Sequence, residues 1–375
     1  MKIIHLVLGK ANPLRMNGVN KLVYEMATVQ TELGYEVELW GITKNPIHNY
    51  PKRNFKTILF PSIINKTKIH DSIKLAVENI KESTIFHFHG SFIPEFYTIS
   101  RLLAKRSIPY IYTPHGALAP AALERRNWKK KWYFEFFEKK LILGAQTVVA
   151  TGKSVFENLD FLVGPISKKL IPNGQPKLDF STYRFKKDQP LVFSFCGRIA
   201  LEHKGLDLLL KGFRKFLDKG EIAQLWLIGD GDELPKLKKI ANDLQLKKHV
   251  KFWGAKYGDE KFSLLSESNV FVHTSRMEGF PASVLEAAAL GLPCLVSKQT
   301  NVDNYIMQYD CGWVVENNTP DEIANSMAKA SQLLKQQGLK SLSDNAKKMI
   351  ESEFDWKVIC EKLMHVYEGG EILIV

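Results

Sequence analysis

Cysteine is scarce in this chain: four residues among 375, Cys196, Cys294, Cys311 and Cys360, with no metal-type spacing between them. That argues against a disulfide framework and a cysteine zinc site, and it fits a reducing compartment. No apolar run approaches the roughly 20 residues that a membrane-crossing helix needs. The opening MKIIHLVLGK is too short for a secretory leader and reads as a first strand. A G-x-G-x-x-G dinucleotide fingerprint is absent. Gly152-Lys153-Ser154 is not a phosphate-binding P-loop either, because the earlier glycine which that motif requires is replaced by Thr147. Zinc fingers, RNA-binding aromatic signatures and basic low-complexity tails are also missing, so nucleic acid is not an expected partner. The expected location is the cytoplasm. The net charge of +12 then points to nucleotide phosphates or an anionic membrane face.

What is present suffices for two cores: 45 % of residues are hydrophobic, and the length favours two domains. The most informative stretch is Asn269–Pro293, NVFVHTSRMEGFPASVLEAAALGLP. Asn269–Thr274 reads as a short buried strand and Ser275–Phe280 as a polar turn. Pro281 suits a first helical position, Ala287-Ala288-Ala289 propagates the helix, and Gly291 and Pro293 end it. The turn and the free N–H groups of the helix's first turn make an anion site. Glu278 in the turn and Glu286 in the helix frame that site. Carboxylates are out of place beside a bare phosphate, but they accept strongly from hydroxyls. The expected ligand is therefore a phosphate with sugars at both ends, a nucleotide sugar.

Further units lead up to this one. Strand Ile3–Leu8, a loop containing Gly18, helix Lys21–Leu33 and strand Glu36–Gly41 form a βαβ unit. Strand Ile85–His89 places His87 and His89 on one side. With no third metal ligand evident, they read as strand-end histidines with satisfied partners. Strand Pro109–Thr113 ends in Pro114-His115-Gly116, which sets an imidazole where open α/β sheets bind ligands. After strand Leu191–Phe195 come Arg198 and Lys204, two cations suited to a departing diphosphate. Strand Gln224–Ile228 ends in Gly229-Asp230-Gly231-Asp232, a context that fits backbone approach to a nucleotide better than a metal-binding Asp-x-Asp.

The segment Glu278-Gly-Phe-Pro-Ala-Ser-Val-Leu-Glu286 resembles the Glu-x7-Glu motif of the retaining glycosyltransferases of family 4. The resemblance extends over nearly the whole chain through Gly18, Pro114-His115-Gly116, Thr151, Glu157, Ile171-Pro172-Asn173-Gly174, and Gly197-Arg198 with Lys204-Gly205. It implies an α/β GT-B fold, with two Rossmann-like domains facing each other across a deep crevice. The acceptor-binding domain would span 1–174, a linker 175–190 and the nucleotide-sugar domain 191–355. The segment 356–375 would cross back to the first domain. The implied activity moves a hexose, with retention, from a UDP- or GDP-linked donor to a hydroxyl of a glycan or lipid-linked acceptor in cell-surface polysaccharide synthesis. No metal and no further cofactor are implied.

The same resemblance suggests roles for individual residues. His115 would lie near the donor sugar and Gly18 near the donor phosphate and acceptor. Arg198 and Lys204 would meet the diphosphate, Glu278 the sugar and Glu286 the ribose. Asn173, Gly229, Gly279, Phe280, Pro281 and Ala282 would complete the substrate contacts. The family often has a Gly-Gly pair where this chain has Asn17-Gly18.

Arg125–Lys140, RRNWKKKWYFEFFEKK, admits two readings. Trp128, Trp132 and Phe136 share a helical face, which could dip into a membrane interface while the cations meet anionic lipid and keep the protein peripheral on the inner membrane face. Alternatively that face packs into the N-terminal core, which the cost of exposing so many aromatics favours. Two rival functions remain. One is a sugar-nucleotide epimerase of the same fold. The other is a non-catalytic membrane- or RNA-binding protein on that scaffold.

Overall fold

The computed structural model describes the chain except residues 14–17, 65–66, 121–127, 177, 179–189, 337 and 371–375. The chain divides into two units, Met1–Pro176 with Trp356–Val375, and Lys177–Asp355. Most of the 175–190 stretch, along with Asn17 and residues 125–127, lies outside the described residues.

The first unit holds seven parallel strands: β1 Lys2–Leu8, β2 Glu36–Thr43, β3 Lys56–Pro61, β4 Thr84–His89, β5 Tyr110–Thr113, β6 Thr147–Ala150 and β7 Lys168–Leu170. Their order is β3-β2-β1-β4-β5-β6-β7. The order reverses between β1 and β4, and at such a switch point the flanking loops diverge and leave room for a ligand. Alternation divides β4 between two faces. Phe86 and Phe88 join one core cluster, and His87 and His89 point the other way. The helix Gly18–Glu32 buries Val23, Met26, Ala27 and Gln30. It begins three residues earlier than its apolar pattern suggests, so Gly18 opens the helix instead of lying in the loop. The glycine that the loop requires is Gly9: its φ is +121°, and a Cβ there would lie 2.6 Å from Asn20 Oδ1.

The helix Trp356–Tyr367 belongs to this unit. Trp356, Ile359, Cys360, Leu363 and Met364 cluster with Ile3, Met26, Ile85, Ile111 and Val149. Trp356 lies over Gly174 so closely that a Cβ there would come within 2.2 Å of the indole.

The second unit is a six-stranded parallel sheet of β8 Leu191–Cys196, β9 Ala223–Ile228, β10 Val250–Gly254, β11 Val270–His273, β12 Cys294–Ser297 and β13 Gly312–Val315. Its order is β10-β9-β8-β11-β12-β13, with the reversal between β8 and β11. The helix Leu206–Leu217 repeats apolar residues at helical spacing and buries Leu206, Leu209, Leu210, Phe213, Phe216 and Leu217. Thr319 caps the helix Pro320–Lys335 by accepting from the Glu322 N–H at 3.3 Å. All four cysteines are buried and free, and burial pushes the Cys196 and Cys311 thiols up to about 12. Among the described residues no helix is long and apolar enough to cross a membrane.

Candidate active site

In the second unit the site is built where β8, β9 and β11 end. Gly197 N–H donates to the Ile228 carbonyl at 3.0 Å and Ile199 N–H to the Asp230 carbonyl at 2.9 Å, which locks the first two loops together. A Cβ at Gly229 would fall 1.9 Å from the Gly197 carbonyl oxygen, so that glycine is already required by its neighbouring loop. Arg198 is exposed in the loop after β8. A short helix, Leu201–Lys204, ends at Gly205 in the left-handed conformation, φ 61°. A Cβ at Gly205 would lie 2.1 Å from the Thr274 carbonyl oxygen, and this close approach presses the Lys204 turn onto the end of β11.

Arg276 fastens the same contact. Its guanidinium grips Asp207 with two bonds of 2.7 and 2.8 Å and also reaches the carbonyls of Leu201 and Glu202. Sequence reasoning missed Arg276, although its place two residues before Glu278 was a usable signal.

This bracing brings Lys204 and Glu278 into a direct ion pair, with each side chain 17 % exposed. His273 Nε2 lies 3.1 Å from the same carboxylate oxygen. Burial opposes ionisation of Glu278, but the His273 hydrogen bond and the Lys204 charge outweigh it and bring its carboxyl down to about 2. Burial also lowers His273, against the pull of Glu278, so the ring is neutral and donates from Nε2. Asn301 Nδ2 donates to the Glu278 and Gly279 carbonyls at 2.8 and 2.9 Å, which holds the turn. Phe280 packs on Tyr305 and Phe354.

The helix Ala282–Ala289 follows, with Pro281 at its N-cap and no side chain capping it. Pro281 thus stands one position before the helix: its ψ of 104° is extended. The first-turn N–H groups that the sequence marks as an anion site therefore have no side-chain cap. Glu286 is buried in this helix and paired with Lys261 at 2.8 Å, a partner the sequence did not reveal.

In the first unit, His115 stands in the turn after β5 with φ 48°, a backbone position uncommon for a residue with a side chain. A file of imidazoles runs inward from it. His115 Nε2 is 3.2 Å from His89 Nδ1, His89 Nε2 is 2.9 Å from His5 Nδ1, and His5 Nε2 is 2.7 Å from Gln30 Oε1. Beside this file, His87 Nδ1 is 2.7 Å from the Tyr367 hydroxyl and His87 Nε2 is 2.7 Å from Thr113 Oγ1. His5 is the third imidazole that the sequence did not reveal. One donor atom from each of His5, His87 and His89 lies within 4.8 Å of the others, a grouping able to hold a metal ion. All six of their ring nitrogens nevertheless have hydrogen-bond partners within the protein. Asn173, between Pro172 and Gly174, is half-buried, and Gly18 has open space around it.

Comparison with known proteins gives two adjoining family matches. The family described as Glycosyltransferase Family 4 matches residues 16–175, and the one described as Glycosyl transferases group 1 matches residues 179–349. The chain belongs to the family 4 glycosyltransferases. The enzyme is 23 % identical over 389 residues to an Escherichia coli UDP-Gal:alpha-D-GlcNAc-diphosphoundecaprenol alpha-1,3-galactosyltransferase, covering 98 % of this chain and 96 % of that protein. An uncharacterized glycosyltransferase of Methanocaldococcus jannaschii is 24 % identical over 335 residues, covering 86 % of this chain and 81 % of that one. The fold matches that of Anabaena HepE, solved in complex with UDP, with a TM-score of 0.75 at 15 % identity, covering 98 % of this chain and 100 % of that one. The glycosyltransferase thus has the GT-B type of α/β architecture.

One expectation about this glycosyltransferase is corrected. The face carrying Trp128, Trp132 and Phe136 is not packed into a core: these side chains are 72 %, 54 % and 49 % exposed. The helix Trp128–Tyr133 passes into a π-helical turn, Phe134–Glu138. That turn buries Phe134 and Glu138 instead, and the Glu138 carboxylate accepts from the Tyr112 hydroxyl and, at 3.1 Å, from the Phe92 N–H. The polar pair on the buried side sets which face turns inward.

Proposed function

We propose that this glycosyltransferase moves a hexose, with retention of configuration, from a UDP- or GDP-linked donor to a hydroxyl of a lipid-linked or glycan acceptor of surface-polysaccharide synthesis. The second unit binds the donor and the first unit the acceptor. The observation that carries this reading is the Lys204–Glu278–His273 cluster at the head of an uncapped helix. It brings together a cation for phosphate, a fixed carboxylate for sugar hydroxyls and a helix N-terminus without a side-chain cap.

In the reaction the bond from the sugar's anomeric carbon to the phosphate oxygen breaks, and the acceptor oxygen bonds to that carbon from the same side. The acceptor proton passes to the departing phosphate, and a nucleoside diphosphate leaves. Arg198 and Lys204 stabilise the charge that gathers on the leaving diphosphate, the group whose charge grows most in the transition state. Glu278 orients the sugar. Glu286 accepts from the ribose hydroxyls, oriented by its 2.8 Å pair with Lys261.

The exposed Trp128, Trp132 and Phe136 beside Lys129, Lys130 and Lys131 favour an anionic membrane face as the place where a lipid-linked acceptor is met. The relative from Escherichia coli, named for a diphosphoundecaprenol acceptor, supports the same reading.

Thermal stabilisation by a panel of UDP-, GDP- and ADP-sugars tests the donor assignment. One donor should raise the melting temperature of the wild type and leave that of Lys204→Ala unmoved. A panel without any shift would refute the assignment.

A further inference from the structure

The file Gln30–His5–His89–His115 crosses from the buried side of the helix Gly18–Glu32, over β1 and β4, to the turn after β5. It ends on an atom without a partner: His115 Nδ1 is buried and makes no hydrogen bond. We infer that Gln30, His5 and His89 are positioning residues that fix His115 as its Nε2–H tautomer, so that the Nδ1 lone pair is held ready as the acceptor for one hydroxyl. That the hydroxyl belongs to a sugar substrate rests on the function proposed above; the tautomer does not.

Burial holds His5 and His115 down at about 4 and lowers His87 and His89 well below their ordinary value, so at neutral pH every ring is uncharged and carries one N–H. Each of the three links in the file needs one donor and one acceptor, so all three must run in the same sense. Gln30 selects that sense. Its Oε1 faces His5 Nε2 at 2.7 Å, and its Nε2 faces the Tyr367 hydroxyl at 3.4 Å. An oxygen toward His5 makes His5 donate from Nε2 and accept at Nδ1. His89 then donates from Nε2 and accepts at Nδ1, and His115 donates from Nε2.

The neighbouring branch agrees. Tyr367 accepts from Gln30 and donates to His87 Nδ1, and His87 Nε2–H donates to Thr113. Reversing the amide would reverse every link and leave a buried N–H at His115 with no acceptor, the rarer kind of orphan in proteins.

The test is nitrogen NMR of histidine-labelled protein, with the His115 signals assigned by their loss in His115→Gln. The expected result is a pyridine-type Nδ1 and a pyrrole-type Nε2 at His115 in the unliganded wild type. Gln30→Met, which removes the amide, should shift His115 toward a mixture of tautomers. It should also lower kcat at least 10-fold while leaving the donor KM within about 2-fold, a split that general loosening of the core would not produce. A pyrrole-type Nδ1 in the wild type overturns the inference without any variant having to fold. Stoichiometric zinc in the purified protein would also overturn it, by making the imidazoles ligands. A pyridine-type Nδ1 in a protein that stabilises with no nucleotide sugar would leave the tautomer standing and remove the function proposed for it.

Discussion

Replacing Glu278 by glutamine isolates the electrostatic content of the second unit's site, because the two side chains have nearly the same shape. In the folded protein the carboxyl is held at about 2, against an ordinary value of 4.5. At about 1.4 kcal/mol per pKa unit, its ionisation stabilises the fold by about 3 kcal/mol at neutral pH. The sign follows from the depressed folded value. The contribution is complete above the unfolded value of 4.5 and is lost as pH falls toward about 2. Midway, at about pH 3.5, roughly 1.4 kcal/mol of it has gone by the same linkage relation.

Urea unfolding followed by tryptophan emission reads this directly. Glu278→Gln should be less stable than the wild type by about 3 kcal/mol at pH 7, with the gap narrowing to about 2 kcal/mol at pH 3.5. Equal midpoints at pH 7, or a gap that stays constant down to pH 3.5, would show that Lys204 and His273 do not hold this carboxylate as described.

Three further outcomes are expected. Gly205→Ala places a methyl 2.1 Å from the Thr274 carbonyl oxygen at a φ of +61°. It should cost about 3 kcal/mol or more and abolish donor stabilisation, as differential scanning calorimetry with and without donor would show. Arg198→Ala should lower kcat by about 10²–10³ with a smaller change in donor KM, measured by release of nucleoside diphosphate, and should leave the melting temperature within about 1 °C because the residue is exposed. Trp132→Glu, at a side chain 54 % exposed, should weaken co-sedimentation with anionic vesicles by about 10-fold and leave neutral vesicles and the melting temperature unaffected.

What the sequence disclosed was local. Strands Ile85–His89, Leu191–Phe195 and Gln224–Ile228 carry their signals in adjacent residues and are found with bounds that differ by one residue, as Thr84–His89, Leu191–Cys196 and Ala223–Ile228. The pairing of Lys204 with Glu278 followed a motif, not a contact: the two are 74 positions apart, and sequence reasoning gave them separate ligands instead of each other. Lys261, Gln30 and His5 were illegible for the same reason, since each acquires its meaning from a partner that only sheet order and helix docking bring near. The aromatic face at Trp128 was misjudged because hydrophobicity argued for burial. What decided it was a buried Glu138 hydrogen-bonded to Tyr112, and a carboxylate on the inner side of a helix leaves no mark in the hydrophobic pattern. Gly18 drew attention as the glycine of the strand-to-helix turn, whereas the positive φ in this loop belongs to Gly9, which carried no signal of its own.

The first unit is discontinuous along the chain, and this has a consequence for its birth on the ribosome. Ile3, Ile85, Ile111 and Val149 are covered by the helix Trp356–Tyr367, which is synthesised only after the whole second unit. Until then the nascent first unit exposes these apolar side chains as a seam open to chaperones and to other unfinished chains. Tyr367, which bonds His87, is among the last described side chains to arrive. Because Tyr367 also bonds Gln30, the imidazole file cannot take its final arrangement before this helix has been made, so a chain stalled or cut ahead of it would lack both its seal and its ordered histidines.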